Sequence, residues 1–173
     1  MAAHRIDRRA PSRTIHAATI RAMRPRLRNL PCPCHVRDNL SNPPDYASCC
    51  GRWHEGLSNG EHAPTPQTLM RSRYTAYALL QGSAVAPQEL RDYLMQTWHP
   101  STAPGELELM PLRWTGLEIL HEAVSGDSGV IEFVAHHKVN GRASKLHEVS
   151  RFVREHAAWR YIDGRVVKDD DTG

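Results

Sequence analysis

All four cysteines of this 173-residue chain lie between Cys32 and Cys50, as Cys32-Pro33-Cys34 and Cys49-Cys50 with fourteen residues between the pairs. Four thiolates match the ligand count of a closed, tetrahedral structural zinc site. Adjacent cysteines cannot pair comfortably as a disulfide, because the bridge needs Cα atoms farther apart than one peptide allows. Both can reach one metal if the backbone turns sharply. Pro31 and Pro33 stiffen the first half-site, and Gly51 is read as relieving the turn after the second. The loop between the pairs has no hydrophobic run, so metal binding is expected to supply its order. Free thiols are an alternative. So are two disulfides between the half-sites, which need an oxidising compartment, and no secretory signal is evident. His35 follows Cys34 directly and is a competing ligand. With four cysteines at hand it is expected beside the metal or in solvent.

Cys32-Pro33-Cys34 and Cys49-Cys50-Gly51 resemble the SEC-C motif, the small zinc-binding tail of the translocase motor SecA and other bacterial proteins. The resemblance implies zinc on Cys32, Cys34, Cys49 and Cys50. His35 replaces the usual glycine, and the loop is longer than the common form. Loop-closure cost grows slowly with length, so the metal site survives while a partner surface built on the loop is altered.

A chain of this length fits one domain with appendages. Residues 1–30 hold eight arginines against Asp7, a formal +7 within a total of +3, so the remaining residues carry −4. The folded part is thus a poor candidate for binding nucleic acid through its bulk field. The Arg-rich stretch reads as an organellar presequence, an RNA- or membrane-touching arm, or a disordered extension, and the last is favoured because it offers little apolar surface to bury. Ile15 to Met23 is read as a helical turn or two. No apolar run is long enough to span a bilayer.

The elements that must position any site follow the cysteines. Arg52 to Gln67 is rich in Gly, Pro, His and Asn and is expected to be an irregular connector. Thr65-Pro66 reads as N-cap and first position of a helix to about Gln81, with Leu69, Met70, Tyr74, Tyr77 and Leu80 as its apolar stripe and Arg71 and Arg73 off it or at its edge. A second helix over Ala86 to Trp98 buries Leu90, Tyr93, Leu94 and Trp98 and stops at Pro100. The period then changes to alternation over 111–123, 130–139, 145–154 and 158–166, with Asn140-Gly141 as a hairpin turn. Helices followed by a four-stranded meander make an α+β fold.

Leu69-Met70-Arg71-Ser72-Arg73-Tyr74-Thr75-Ala76-Tyr77, Thr97-Trp98-His99-Pro100, Arg113-Trp114-Thr115-Gly116-Leu117, Val130 to Ala135, His147 to Phe152 and Trp159 to Gly164 follow in order. Together with the cysteine motif they look like the bacterial YchJ family, over about residues 31–166. The resemblance implies an NTF2-like (cystatin-like) cone of helices packed on a bent antiparallel sheet, preceded by the small zinc module. The expected division is a basic tail over 1–30, the module over 31–52, the NTF2-like domain over 53–167 and an acidic tail over 168–173, without the second SEC-C motif many members carry. The family brings no established activity. Cones of this fold host isomerases and hydrolases in some relatives and nothing in others.

Polar residues expected to converge are Arg71, Arg73, Tyr74, His99, Glu132, His147, Glu148 and Arg151. On strand 145–154, Glu148 and Ser150 share the face of Leu146 and Phe152, and His147 and Arg151 share the other. A desolvated Glu on the concave face can serve as a general base. The competing reading is structural: a buried pair of Arg73 with Glu148 or Glu132 that fixes helix on sheet. His99 before Pro100 reads as a hydrogen-bonding corner. Trp98, Trp114 and Trp159 read as core, and no basic–aromatic stripe suggests single-stranded nucleic acid.

The leading expectation is a cytoplasmic zinc-containing adaptor or binding protein. Its module contacts a protein partner, and its NTF2-like domain acts as scaffold or ligand pocket. The alternative is an enzyme, an isomerase or hydrolase, with Glu148 or Glu132 as base and Arg71, Arg73 or Tyr74 orienting the substrate. An RNA-binding role depends on the basic tail alone. A homodimer is left open.

Overall fold

A computed structural model of the chain describes residues 28–81 and 88–168. It contains helices α1 (Cys50–Gly56), α2 (Pro66–Gln81) and α3 (Gln88–Gln96), then strands β1 (Arg113–Ser125), β2 (Ser128–Val139), β3 (Arg142–Glu155) and β4 (Ala158–Val166). Single 3₁₀ turns occupy Pro33–His35, Tyr46–Ser48 and Leu57–Asn59. The helical turn read over Ile15 to Met23, and most of both tails, lie outside the described residues. No described helix is long and apolar enough to cross a membrane.

Helix α2 starts as its sequence dictates. Thr65 Oγ1 accepts the Thr68 N–H at 3.0 Å, and Pro66 takes the first helical position, where an N–H would have no intrahelical partner. Helix α3 ends at Gln96 rather than Trp98, because the chain leaves the helix to bond the sheet: Tyr161 N–H donates to Thr97 O at 2.9 Å and His99 N–H to Tyr161 O at 2.7 Å.

The segment from Arg52 corrects the expectation of an irregular connector. It continues α1 to Gly56 and a 3₁₀ turn that stops at Gly60 with φ 79°. The helix was hidden because its buried positions are Cys50, Gly51, His54 and Gly56, residues that do not read as an apolar stripe. Gly51 does not relieve a turn. It lies inside α1, where a Cβ would come within 2.8 Å of the Tyr46 ring and carbonyl. The loop between the cysteine pairs also has order of its own. Cys32 N–H donates to Pro44 O at 2.9 Å and Tyr46 N–H to Leu30 O at 2.8 Å, and the Tyr46 side chain is buried.

The four strands form one antiparallel meander in the order β1-β2-β3-β4. Its hairpins close at Ser125↔Ser128, Val139↔Arg142 and Glu155↔Ala158. Asn140 (φ 50°) and Gly141 (φ 81°) make the expected left-handed turn, and His156 (φ 50°) and Ala157 (φ 65°) make another without glycine. Irregularities at Trp114/Gly116, Ile119/His121 and Arg151/Phe152 bend the strands. Leu117, Ile131, Phe133, Ala135, Ser150 and Phe152 are buried on the concave side, which wraps α2.

Two layers cover α2, which explains why its buried set extends beyond one stripe to Ser72, Arg73 and Thr75. Met70, Arg73, Tyr74, Tyr77 and Gln81 face the cone. Arg71, Ser72 and Thr75 face the cysteine module and α3.

Candidate metal centre and cone

The two cysteine pairs meet. Cys34 Sγ lies 3.6 Å from Cys32 Sγ, 3.7 Å from Cys49 Sγ and 3.5 Å from Cys50 Sγ, and Cys49 and Cys50 are 3.8 Å apart. A tetrahedral ion with metal–sulfur distances of about 2.3 Å has sulfur–sulfur edges of about 3.8 Å. The four sulfurs therefore fit one metal, and they are too far apart for disulfides; all four cysteines are free. Thiol hydrogen bonds from Cys34, then from Cys49 and Cys50, hold Cys32 far below its ordinary pKa. Hydrogen bonding to Cys32 leads the causes that push Cys34 and Cys50 up. Cys49 is also held down, to about 7, so two thiols favour ionisation and two resist it, and four thiolates together call for a cation among them.

Local backbone sets this geometry. The Pro33–His35 turn folds Cys34 back beside Cys32. At the second half-site Cys49 has φ −110° and ψ −108°, the sharp turn that lets neighbouring thiols reach one point. Cys32, Cys34 and Cys50 are buried and Cys49 is half-buried. Thr75 Oγ1, from α2, donates to Cys50 Sγ at 3.3 Å. His35 stands beside the sulfurs: its Nε2 is 3.4 Å from Cys49 Sγ and its Nδ1 donates to Asp38 Oδ2 at 2.6 Å. Asp38 also meets Arg71 Nη1 at 2.9 Å, and Arg71 donates to Cys34 O at 2.7 Å. Arg71 therefore buttresses the cysteine centre and does not line the cone.

His54 makes a second joint. Its Nε2 donates to Ser72 O at 2.9 Å, so Nδ1 is the acceptor for the Tyr46 hydroxyl, also at 2.9 Å. Complete burial lowers its pKa to about 4. Sequence reasoning missed His54, since nothing in its neighbours marks it as facing inward.

On the other side of α2 the cone encloses about 440 Å³. Of the polar residues expected to converge, Arg73, Tyr74 and Glu148 line it. Arg73 is not at the edge of a stripe but buried, donating to Leu94 O at 2.7 Å and Thr97 Oγ1 at 2.8 Å. Its guanidinium lies against the rings of both Trp98 (5.0 Å) and Tyr161 (4.7 Å), which themselves meet edge-to-face, and desolvation lowers its pKa. Glu148 Oε1 accepts from Ser150 Oγ at 2.6 Å and from Tyr161 OH at 3.4 Å. Among the described residues Arg73 therefore bonds neutral acceptors, and the Arg–Glu pair expected as a packing device is replaced by two separate arrangements. A Cβ on Gly164 would fall 1.9 Å from Glu148 Oε1, so the bare backbone there makes room for the carboxylate.

The other candidates lie elsewhere. Glu132 and His147 pair at 2.8 Å on the outer face of the sheet, where Arg151 also binds Asp163, at 2.7 Å through Nε. His99 is a corner residue, with Nδ1 2.6 Å from Ser101 Oγ and Nε2 3.4 Å from Glu155. Trp159 is core, while Trp98 and Trp114 line the cone.

Comparison with known proteins agrees with this architecture. Residues 65–164 match the family model described as the YchJ middle NTF2-like domain. A UPF0225 protein of Bordetella pertussis is 44% identical over 138 residues, covering 78% of this chain and 92% of its own length. One from Streptomyces coelicolor is 44% identical over 141 residues, 79% and 96% of the two chains. The crystal structure of a SEC-C motif containing protein from Psychrobacter arcticus is similar with TM-score 0.65 and 27% identity, over 83% of this chain and 86% of that one. The solution structure of a SEC-C motif containing protein from Rhodopseudomonas palustris gives TM-score 0.59 and 26% identity, over 80% and 100%.

Proposed function

Starting from a chain that belongs to the YchJ (UPF0225) family, we propose that it is a zinc-stapled binding protein: the four cysteines hold a structural zinc, and the cone takes a small ligand. The observation that carries this reading is the double use of α2. One face gives Thr75 to Cys50, and the other gives Arg73 and Tyr74 to the cone. Zinc suits four thiolates, three of them buried and one half-buried, which leave no open coordination position for chemistry. Its work there is to close the loop and fix α1 on α2. An open cone with apolar walls and a few fixed polar groups has the anatomy of a ligand site.

A protein-contact role for the module is supported by three exposed apolar side chains in the stretch that carries the first cysteine pair: Leu30, Val36 and Leu40. Of the two bases expected for the enzyme reading, Glu148 alone lines the cone, in the space that Gly164 leaves for its carboxylate.

The deciding experiment is metal content and thiol count on protein purified without added metal or chelator. One zinc per chain with four protected thiols is the expected result. No metal, with oxidised cysteines, would overturn it. Partner contact is tested by comparing V36E/L40E with wild type: a captured protein should be lost while zinc content is kept.

A further inference from the structure

The four sulfurs of the cysteine centre are not held alike. Thr75 Oγ1 lies 3.7 Å from Cys32 Sγ and 3.3 Å from Cys50 Sγ, so α2 backs the buried side of the centre. Cys49 is the half-buried member of the four. Its sulfur faces an imidazole, with His35 Nε2 3.4 Å away.

The turn that carries Cys34 also prepares this ring. Asp38 N–H donates to His35 O at 3.2 Å, which brings the Asp38 side chain back against the imidazole. Asp38 Oδ2 lies 2.6 Å from His35 Nδ1 and 2.9 Å from Arg71 Nη1. A carboxylate only accepts, so the proton of the neutral ring sits on Nδ1 and Nε2 presents a lone pair. Arg71 pins the carboxylate and, by donating to Cys34 O at 2.7 Å, ties it to the centre. An imidazole whose far nitrogen donates to a carboxylate is the arrangement that orients histidine ligands toward a metal and raises their basicity. A Cys49 thiol answers the Nε2 lone pair with its S–H. A metal-bound Cys49 thiolate has no proton to give, and the lone pair then stands beside the centre with no donor. Three cysteines and one histidine hold structural zinc as four cysteines do.

We infer that His35 is a reserve metal ligand: when the Cys49 thiolate is withdrawn, His35 Nε2 takes its coordination place, and Cys32, Cys34, Cys50 and His35 keep the metal. The half-buried sulfur is thereby the one that can leave without opening the module. This rests on the reading of the four cysteines as a metal site and does not involve the cone.

The test is a cycle of four full chains: wild type, Cys49→Ala, His35→Ala and the double variant. Each is loaded with zinc for chelator competition and, as ¹⁵N-histidine protein, with ¹¹³Cd for NMR. Wild type should bind one metal, with a ¹¹³Cd signal in the all-sulfur range and no coupling to a histidine nitrogen. Cys49→Ala should still bind one metal, with its ¹¹³Cd signal moved upfield and coupled to a ring nitrogen, a coupling absent from the double variant. His35→Ala should weaken zinc at least about tenfold more in the Cys49→Ala chain than in the wild type, a coupling of the size that contacting residues show.

If His35 only props Cys49, the order reverses: its loss costs the wild type and costs nothing once Cys49 is gone. That result would overturn the inference, as would a Cys49→Ala signal without nitrogen coupling. A Cys49→Ala chain that neither folds nor binds with zinc in excess counts equally against it, because a working replacement keeps the module closed. Failure of the zinc reading is a different result, a wild type that binds no metal at all.

Discussion

Thr75 and Cys50 meet across the boundary between the cysteine module and the NTF2-like domain, with the Thr75 hydroxyl donating to the Cys50 sulfur at 3.3 Å. Partners that orient metal ligands typically set metal affinity by about 10–100-fold. Thr75→Val, nearly the same shape without the donor, should weaken zinc by that order in a chelator competition while leaving the fold intact. Unchanged affinity would show that the hydroxyl is only a spacer.

Removing the metal should loosen the joint itself. A ligand present at a thousandfold over its dissociation constant adds about 4 kcal/mol, which for a domain of this size is a Tm loss on the order of 10 °C when it is stripped. Calorimetry with and without chelator checks this, and a thiol reagent should then find four reactive cysteines.

Glu148 and Gly164 are fitted to each other, since a Cβ at 164 would overlap the carboxylate. Gly164→Ala should destabilise by about 1–3 kcal/mol through overpacking. In the Glu148→Ala background the same change should cost less, and a denaturant double-mutant cycle measures the difference. Strict additivity would place the strain elsewhere.

His54 gives the fold a pH dependence whose sign follows from its burial. Its pKa is lowered to about 4 in the folded chain, against an unfolded value near 6.5. The unfolded chain binds this proton first, so the His54 contribution is full above pH 6.5 and is lost as pH falls toward 4. The total is about 3 kcal/mol to an order of magnitude. Acid also competes for the cysteine thiolates, so the measurement is the difference in pH slope between wild type and His54→Gln over pH 6.5 to 5.5. The variant should show the smaller slope.

His156 and Ala157 turn the last hairpin with φ of 50° and 65°. A left-handed alanine is strained by roughly 1–2 kcal/mol, part of which a glycine returns to the unfolded state as entropy. Ala157→Gly should therefore stabilise the chain by about 0.5–1 kcal/mol. Thermal unfolding at constant zinc reads it.

Much of this architecture was legible from local chemistry. The Thr65-Pro66 cap, the alternating strands and Asn140-Gly141 depend on near neighbours, and each element formed where its pattern lies. The cysteine site was legible because thiolates in such a group have few other uses. What sequence could not supply were relationships across the fold. Arg73 reads as buried only against a glutamate, because a guanidinium is rarely buried without a carboxylate, and only the Leu94 and Thr97 acceptors and two aromatic faces make its place inside acceptable without that pair. The segment containing His54 looked like a loop because its inward partners, Tyr46 and the Ser72 carbonyl, come from two other elements. Glu132 and Glu148 were equal candidates on paper. Pairing of Phe133 with Glu148 and of Glu132 with Val149 puts them on opposite faces.

The corner at Thr97 to Thr102 has a consequence for how copies of this chain can meet. Its backbone takes both hydrogen-bonding groups of Tyr161, and Thr102 Oγ1 donates to Ile162 O at 2.6 Å. At Tyr161 and Ile162, β4 is thus an edge already sealed by its own chain. An extended segment from another molecule finds no ladder to join there, so recruitment by strand addition is closed at these two residues.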